Sequence, residues 1–258
     1  DKDKNNKYAR FTLAALSSIP WVGSLIGAAA SLSGELEQDK TNGLLRFWLD
    51  EHDNKIKLLG LTLQDIYSRL DNFGEDIKER VNSPEYLNLV RRAFTSWDQA
   101  DTEEKRHLIK RLITNAGATK LCPDDLVRLF IKWIDDYHES HFAVIKEIYR
   151  NPGITRGQIW DGVHNDRPAE NSAEADLFRY LIRDLSTGGV IRQDRETTSE
   201  GQFLAKSYSQ HKNAAIGPRI MESAFEDTKP YVLTGLGQQF ISYVLNDTVT
   251  RLQAEPSK

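Results

Sequence analysis

The stretch Ile56–Ile77, IKLLGLTLQDIYSRLDNFGEDI, decides the fold class of this chain. Its apolar residues recur at alternating spacings of three and four, which places them along one side of an α-helix. A helix of this kind packs inside an antiparallel bundle or pairs with a second chain in a coiled coil. We call this apolar row the seam; its members are Ile56, Leu59, Leu63, Ile66, Leu70, Phe73 and Ile77.

Helix-start signals continue on the C-terminal side of the seam. Ser83 followed by Pro84 predicts one N-terminus, because serine caps and proline suits the first helical position. Asp101 with Glu104 three residues later predicts another, through a capping-box pattern. The apolar period after Pro123 indicates either one long helix or two helices broken near His138. The sequence therefore predicts a mainly α protein that begins with a helical bundle.

Residues 11–34, FTLAALSSIPWVGSLIGAAASLSG, contain no charged side chain. Pro20 divides them into helical pieces of about 14 and 21 Å, at 1.5 Å per residue. Each piece is shorter than a hydrocarbon core of about 30 Å, although one kinked helix of the whole stretch would span it. The second piece carries a GxxxG row, which lets helix backbones approach closely in lipid or in a protein core. The predicted membrane or close-packing residues are Trp21, Gly23, Gly27 and Ser31.

Three interpretations of this apolar stretch stay open. It is a buried helix or hairpin of a soluble bundle, a hairpin that inserts into a membrane on activation, or a constitutive anchor. The first is favoured, and the second is motivated by an uncharged GxxxG segment attached to an otherwise very polar chain.

The pattern changes after Asn151-Pro152-Gly153. The segment LFRYLIRDLSTGGVI, residues 177–191, reads as a helix that runs through a glycine turn into a strand. The segment YVLTGLGQQF, residues 231–240, reads as a returning strand followed by a closing helix. With the helices before them, these elements resemble a winged helix-turn-helix domain with an unusually long wing at 195–230.

Three segments follow from this reading. Residues 1–35 form an apolar Gly/Ala-rich helical segment or hairpin, residues 36–137 a helical bundle, and residues 138–258 a winged-helix domain with a long wing insertion.

Charge disfavours a general polyanion binder. The chain has 34 Lys and Arg against 38 Asp and Glu, and residues 1–137 hold 20 against 22, so the deficit is shared between the two halves. The predicted third helix, Ser172–Ser186, carries Arg179 and Arg183 as its only cations. These two are the possible nucleic-acid contacts, but protein contact is favoured over DNA readout.

Motifs for catalysis or cofactor binding are not found in the sequence. Asp135, His138 and His141 can share a helix face, but their spacing is not that of a zinc-protease motif. The single cysteine, Cys122, rules out an intrachain disulfide and favours a reducing, cytoplasmic compartment. We therefore predict no enzyme activity, no cofactor and no metal.

The order of glycine-rich apolar segment, long amphipathic helices and winged helix resembles bacterial abortive-infection proteins of the alpha type, found among phage-defence genes. The sequence signature of this resemblance is LTGLGQQF, residues 233–240. The resemblance implies a bacterial cytosolic protein that damages the cell or signals on infection, without implying a catalytic residue.

The leading hypothesis is a non-enzymatic, membrane-perturbing effector that associates with itself or a protein partner and uses the winged helix as a sensing module. The alternatives are a DNA-binding regulator with a helical oligomerisation domain, and a structural subunit of a larger complex. No small-molecule substrate is evident in the sequence.

Overall fold

A computed structural model of the chain describes residues 7–24, 38–74, 77–119, 122–164, 166–195, 200 and 223–245. Within these residues the fold is mainly helical with one small three-stranded sheet, which confirms the predicted class at that level. The chain folds into two compact units. The first comprises residues 1–136 with 241–258, and the second residues 137–240.

The first unit is helical throughout its described secondary structure. Its helices are α1 (Ala9–Ser17), α2 (Gln38–Asp71), α3 (Lys78–Asn82), α4 (Pro84–Gln99), α5 (Glu103–Ala118) and α6 (Asp124–Asp136).

The second unit combines helices and strands. Its elements are α7 (Glu139–Arg150), β1 (Ile154–Thr155), α8 (Arg156–Val163), α9 (Ala173–Thr187), β2 (Ile191–Gln193), β3 (Pro230–Leu233) and the first half of α10 (Gly235–Leu245).

Helix α1 places the beginning of the apolar stretch in the core of the first unit. It packs against α4. Phe11 is 1% exposed, and its ring meets the rings of Tyr67 and Phe94 edge to face at centroid distances of 5.6 and 6.0 Å. Ala14 and Ala15 are also buried. This part of the stretch is therefore bundle core.

Helix α1 ends just before Pro20, and helical backbone resumes at residues 20–24. Trp21 is half-buried, and its indole nitrogen donates to Asp98 Oδ1 at 2.6 Å. Gly23 is exposed, and a Cβ built on it would meet no atom within 4 Å. The close packing of Gly23 with another helix stays a prediction, and Gly27 and Ser31 lie outside the described residues. In the part of the chain described, no helix is long and apolar enough to cross a membrane.

The seam lies on α2 and the turn after it. Leu59, Leu63, Ile66, Leu70 and Ile77 are buried, Phe73 is half-buried and Ile56 is 37% exposed. The helix packs on α5, and Lys110 Nζ of α5 reaches Asp65 Oδ2 at 2.6 Å.

The prediction that one helix carries the whole seam, Ile56–Ile77, is wrong at its C-terminal end. Helix α2 stops at Asp71, and a turn follows in which Gly74 has a φ of +68°. Because the left-handed region favours glycine, Gly74 suits the turn that follows the end of the helix. Phe73 and Ile77 therefore lie outside α2.

The sheet of the second unit is antiparallel in the order β1-β3-β2. Ile154 pairs with Tyr231, and Ile191 pairs with Leu233. The short strand β1 was not anticipated from the sequence. The helical pattern after Pro123 divides into α6 and α7, which settles the alternative left open near His138 in favour of two helices. Most of the segment between β2 and β3, at 196–199 and 201–222, lies outside the described residues.

Candidate functional site: an arginine groove

Five arginines converge on one groove of the second unit. The groove has a volume of about 650 Å³ and lies between α9 and the β2–β3 pair. The two isoleucines in its wall, Ile182 and Ile191, are core residues. Its polar lining comprises Arg156, Arg179, Arg183, Arg192, Arg195, Ser186, Thr187, Gln193 and Tyr231. We call this site the arginine groove.

Helix capping and a glycine turn bring these elements together. The Ser172 hydroxyl accepts from the backbone N–H of Ala175 and starts α9. The helix ends at a turn in which Gly189 has a φ of +76°, a conformation that side chains rarely adopt. The turn sends the chain back into β2, so Arg192 and Arg183 line the same groove.

The floor of the groove is held by Tyr231 on the central strand β3. Its side chain is 2% exposed. Arg156 Nε donates to the Tyr231 hydroxyl at 3.0 Å, and Gln193 Nε2 donates to it at 3.3 Å. These bonds fix the first residue of α8 and the last residue of β2 on the same phenol. Arg156 is therefore held against the central strand.

The arginines of the groove differ in their electrostatic surroundings. Arg179 forms ion pairs with Glu170 and Asp176. The pKa of Glu170 is lowered by the backbone N–H of Ala224 and the Ser223 hydroxyl, with Arg179 adding to the effect. Arg183 and Arg195 are exposed and form no ion pair with any residue that the structure describes.

None of the described residues that line the arginine groove is acidic. Guanidinium groups present N–H donors in a planar fork that matches phosphate oxygens. The arrangement can therefore bind a polyanion through several phosphates at once.

No protein-family model, curated protein or solved structure matches this chain. The assignment of this site rests on its geometry and chemistry.

The sequence had pointed to two of the five arginines. Arg179 and Arg183 both line the groove, although Arg179 is already held by carboxylates. Arg156, Arg192 and Arg195 were missed. Arg192 and Arg195 follow the glycine turn directly, in VIRQDR, so a count that included the strand after this turn would have found them.

The Asp135–His138–His141 pattern forms no metal site. Asp135 Oδ2 accepts from the Ser96 hydroxyl at 2.9 Å. His141 is buried, its Nδ1 accepts from the backbone N–H of His138 at 3.1 Å, and its Nε2 lies 3.2 Å from Asp184 Oδ2. Burial lowers the pKa of His141. Across the described ranges, no cluster of three or more His, Cys, Asp or Glu could hold a metal ion.

Cys122 lies in the core of the first unit. Its backbone N–H donates to the Tyr243 hydroxyl at 3.0 Å. Burial raises the pKa of its thiol. A helix-start thiolate is therefore disfavoured, and the cysteine packs as a core residue.

Proposed function

We propose that the second unit is a winged helix that binds nucleic acid through the arginine groove, and that the chain is a non-enzymatic sensor or regulator. The observation that carries this proposal is the convergence of five arginines, from α8, from α9 and from β2 with the residues just after it, on one groove whose described lining includes no Asp or Glu. The element order α7, β1, α8, α9, β2, β3, α10 supports the fold assignment.

The position of the cations supports nucleic acid over a protein partner. In a winged helix, α9 is the third helix and β2 begins the wing. Phosphate contacts position such a domain on its target, and each neutralised phosphate adds affinity through release of bound counterions. The exposed Tyr180, 45% exposed on α9, adds a hydroxyl and an aromatic ring for contact beside Arg183.

The exposed pair Arg183 and Arg195 provides the first test. Replacing both with glutamate is expected to weaken binding to duplex DNA at least tenfold at about 100 mM salt, because two phosphate contacts become repulsive. For a variant with both replaced by glutamine, the slope of log affinity against log salt should be about 2 smaller in magnitude than that of the unaltered chain. Fluorescence anisotropy with a labelled duplex, and with a single strand of equal length, measures both quantities.

The matched control for the glutamate variant reverses Lys57 and Arg128, two cations of the first unit, to glutamate. This control has the same net charge and should keep the affinity of the unaltered chain within about twofold. The proposal fails if the two double variants bind equally well, or if the unaltered chain binds no nucleic acid at low salt.

The resemblance to alpha-type abortive-infection proteins suggests how the two units would work together in phage defence, and this stays a prediction. A nucleic-acid-binding unit would serve as the sensor. The helical first unit would supply self-association or partner contact.

Membrane perturbation by residues 11–34 is the remaining part of that prediction. Phe11 is accounted for as bundle core, so an inserting segment would have to come from the Gly23–Ser31 part. We expect Gly27→Leu to reduce leakage of anionic vesicles at least severalfold if a close-packed GxxxG pair forms in lipid. Dye-release assays on the unaltered chain and on the Gly27→Leu variant measure this. Gly60→Leu on α2 is the control, because a Cβ on Gly60 would meet no atom within 4 Å. Equal inertness of all three would refute insertion.

A further inference from the structure

A second cavity of the second unit lies between α7, α8 and α9 and has a volume of about 310 Å³. It is distinct from the arginine groove, because no residue lines both. Its apolar lining comprises Ala143, Val144, Trp160, Val163, Leu177, Phe178 and Leu181. Its polar lining comprises Glu139, Ser140, His164 and Glu174. We call this cavity the acidic cleft.

The acidic cleft has a buried aromatic floor and an exposed apolar rim. Trp160 meets Phe178 edge to face at 5.3 Å, and both side chains are largely buried. Leu177 is 51% exposed and Val163 is 36% exposed. Removing apolar surface from water is favourable by about 25 cal/mol per Å² of accessible area, and the exposed parts of these side chains do not have this stabilisation. A ligand with an apolar body would recover it.

The charge of the acidic cleft selects the polar end of that ligand. Glu139 and Glu174 line it, and none of its described lining residues is a lysine or an arginine. Each glutamate lies in the first turn of its helix, α7 or α9, where the helix dipole favours a negative charge. Within the described part of the chain, neither carboxylate forms an ion pair with a basic side chain. A carboxylate or phosphate ligand would be repelled, whereas a cation would be attracted.

We propose that the acidic cleft binds a small amphipathic amine, with its hydrocarbon part against Trp160, Phe178 and Leu177 and its ammonium group near Glu139 and Glu174. A cavity of this size is at the lower end of the range for small-molecule sites. The site does not rest on the proposed nucleic-acid binding. By helical periodicity, Leu177 and Leu181 lie on the side of α9 opposite Arg179 and Arg183.

Three six-carbon probes that differ only in their head group test the proposal: hexylammonium, hexanol and hexanoate. We expect hexylammonium to bind most tightly, hexanol about tenfold more weakly and hexanoate undetectably. Saturation-transfer NMR detects binding of each probe, and isothermal titration calorimetry on the full chain gives the dissociation constants. Equal binding of hexanoate and hexylammonium would overturn the charge assignment.

Variants at the two glutamates locate the ammonium. Glu139→Gln/Glu174→Gln should weaken hexylammonium binding about tenfold and leave hexanol binding unchanged. The matched control is Glu79→Gln/Glu103→Gln, which neutralises two exposed first-turn glutamates of α3 and α5 in the first unit. That control should bind both probes as the unaltered chain does. If the cleft variant retains the selectivity for hexylammonium, the proposal is wrong.

A filling variant locates the hydrocarbon part. Ala143 lines the cleft and is partly exposed, so Ala143→Leu adds volume without entering the core. We expect this variant to weaken hexylammonium and hexanol alike, at least tenfold. Unchanged binding of both probes would show that they bind elsewhere and would refute the site.

Discussion

Replacing Phe11 with alanine is expected to lower the free energy of unfolding of the first unit by about 3–5 kcal/mol. The ring is 1% exposed and lies among Tyr67, Tyr86 and Phe94 at centroid distances of 5.6 to 6.1 Å. Its removal forfeits the burial free energy and leaves a cavity between α1, α2 and α4 that the surrounding helices can fill only in part. Urea-induced unfolding followed by circular dichroism measures the loss.

Leu13 on the same helix is the matched control. It is 69% exposed, so Leu13→Ala is expected to change the free energy of unfolding by less than about 0.5 kcal/mol. If the two variants behave alike, α1 is not part of the bundle core in solution. The packing of Phe11 would then be contradicted, and α1 would be available to enter a membrane.

Local signals in the sequence were sufficient to predict most helix starts. The Ser83 hydroxyl accepts from the backbone N–H of Tyr86, and Thr155 forms a capping box with Gln158, as their positions indicate. These interactions join residues three apart, so the sequence alone contains them. The helix start read at Asp101 is displaced by one residue, because Thr102 caps α5 instead. Caps of this kind do not reveal which helices pack together.

The seam shows where periodicity stops being informative. Four apolar residues of α2 repeat at helical spacing and are buried within the first unit: Leu59, Leu63, Ile66 and Leu70. Ile56 obeys the same period yet is 37% exposed, because burial requires a partner helix and not only an apolar face. Gly74 in a positive-φ turn then takes the chain out of the helix before the pattern ends.

The arginine groove could not be read from charge balance. Lys and Arg are nearly matched by Asp and Glu in each half of the chain, which argued against a polyanion site. Folding separates these charges: β2, the start of α8 and one side of α9 contribute arginines to the same groove, and the part of its wall that the structure describes contains no acidic residue. Net charge describes a whole domain, whereas binding depends on the local arrangement that the β2–β3 pairing and the Gly189 turn create.

Gly237→Ala is expected to destabilise the second unit by about 3 kcal/mol or more, the upper range for overpacking. In the LTGLGQQF segment, the helix backbone at Gly237 lies close to the backbone of Val190. A Cβ on Gly237 would lie 2.2 Å from the carbonyl oxygen of Val190. The obstructing atom is backbone, and Val190 is followed at once by β2, so α10 or β2 would have to move. The same carbonyl accepts from the backbone N–H of Thr234 at 3.0 Å, and the Thr234 hydroxyl caps Gly237. Thermal unfolding by circular dichroism measures the effect.

Gly235→Ala separates this steric cause from the ordinary effect of replacing a glycine. Gly235 begins the same helix, yet a Cβ there would meet no atom within 4 Å. Alanine should be neutral or stabilising by up to about 1 kcal/mol at that position, since it restricts the unfolded chain. If Gly237→Ala matches Gly235→Ala, the contact with Val190 does not constrain the fold. Gly237→Ala is instead expected to be the more destabilising of the two variants. If it also weakens DNA binding, the position of the closing helix and that of the β2 segment both depend on the contact between Gly237 and Val190. This dependence would connect the LTGLGQQF segment to the arginine groove.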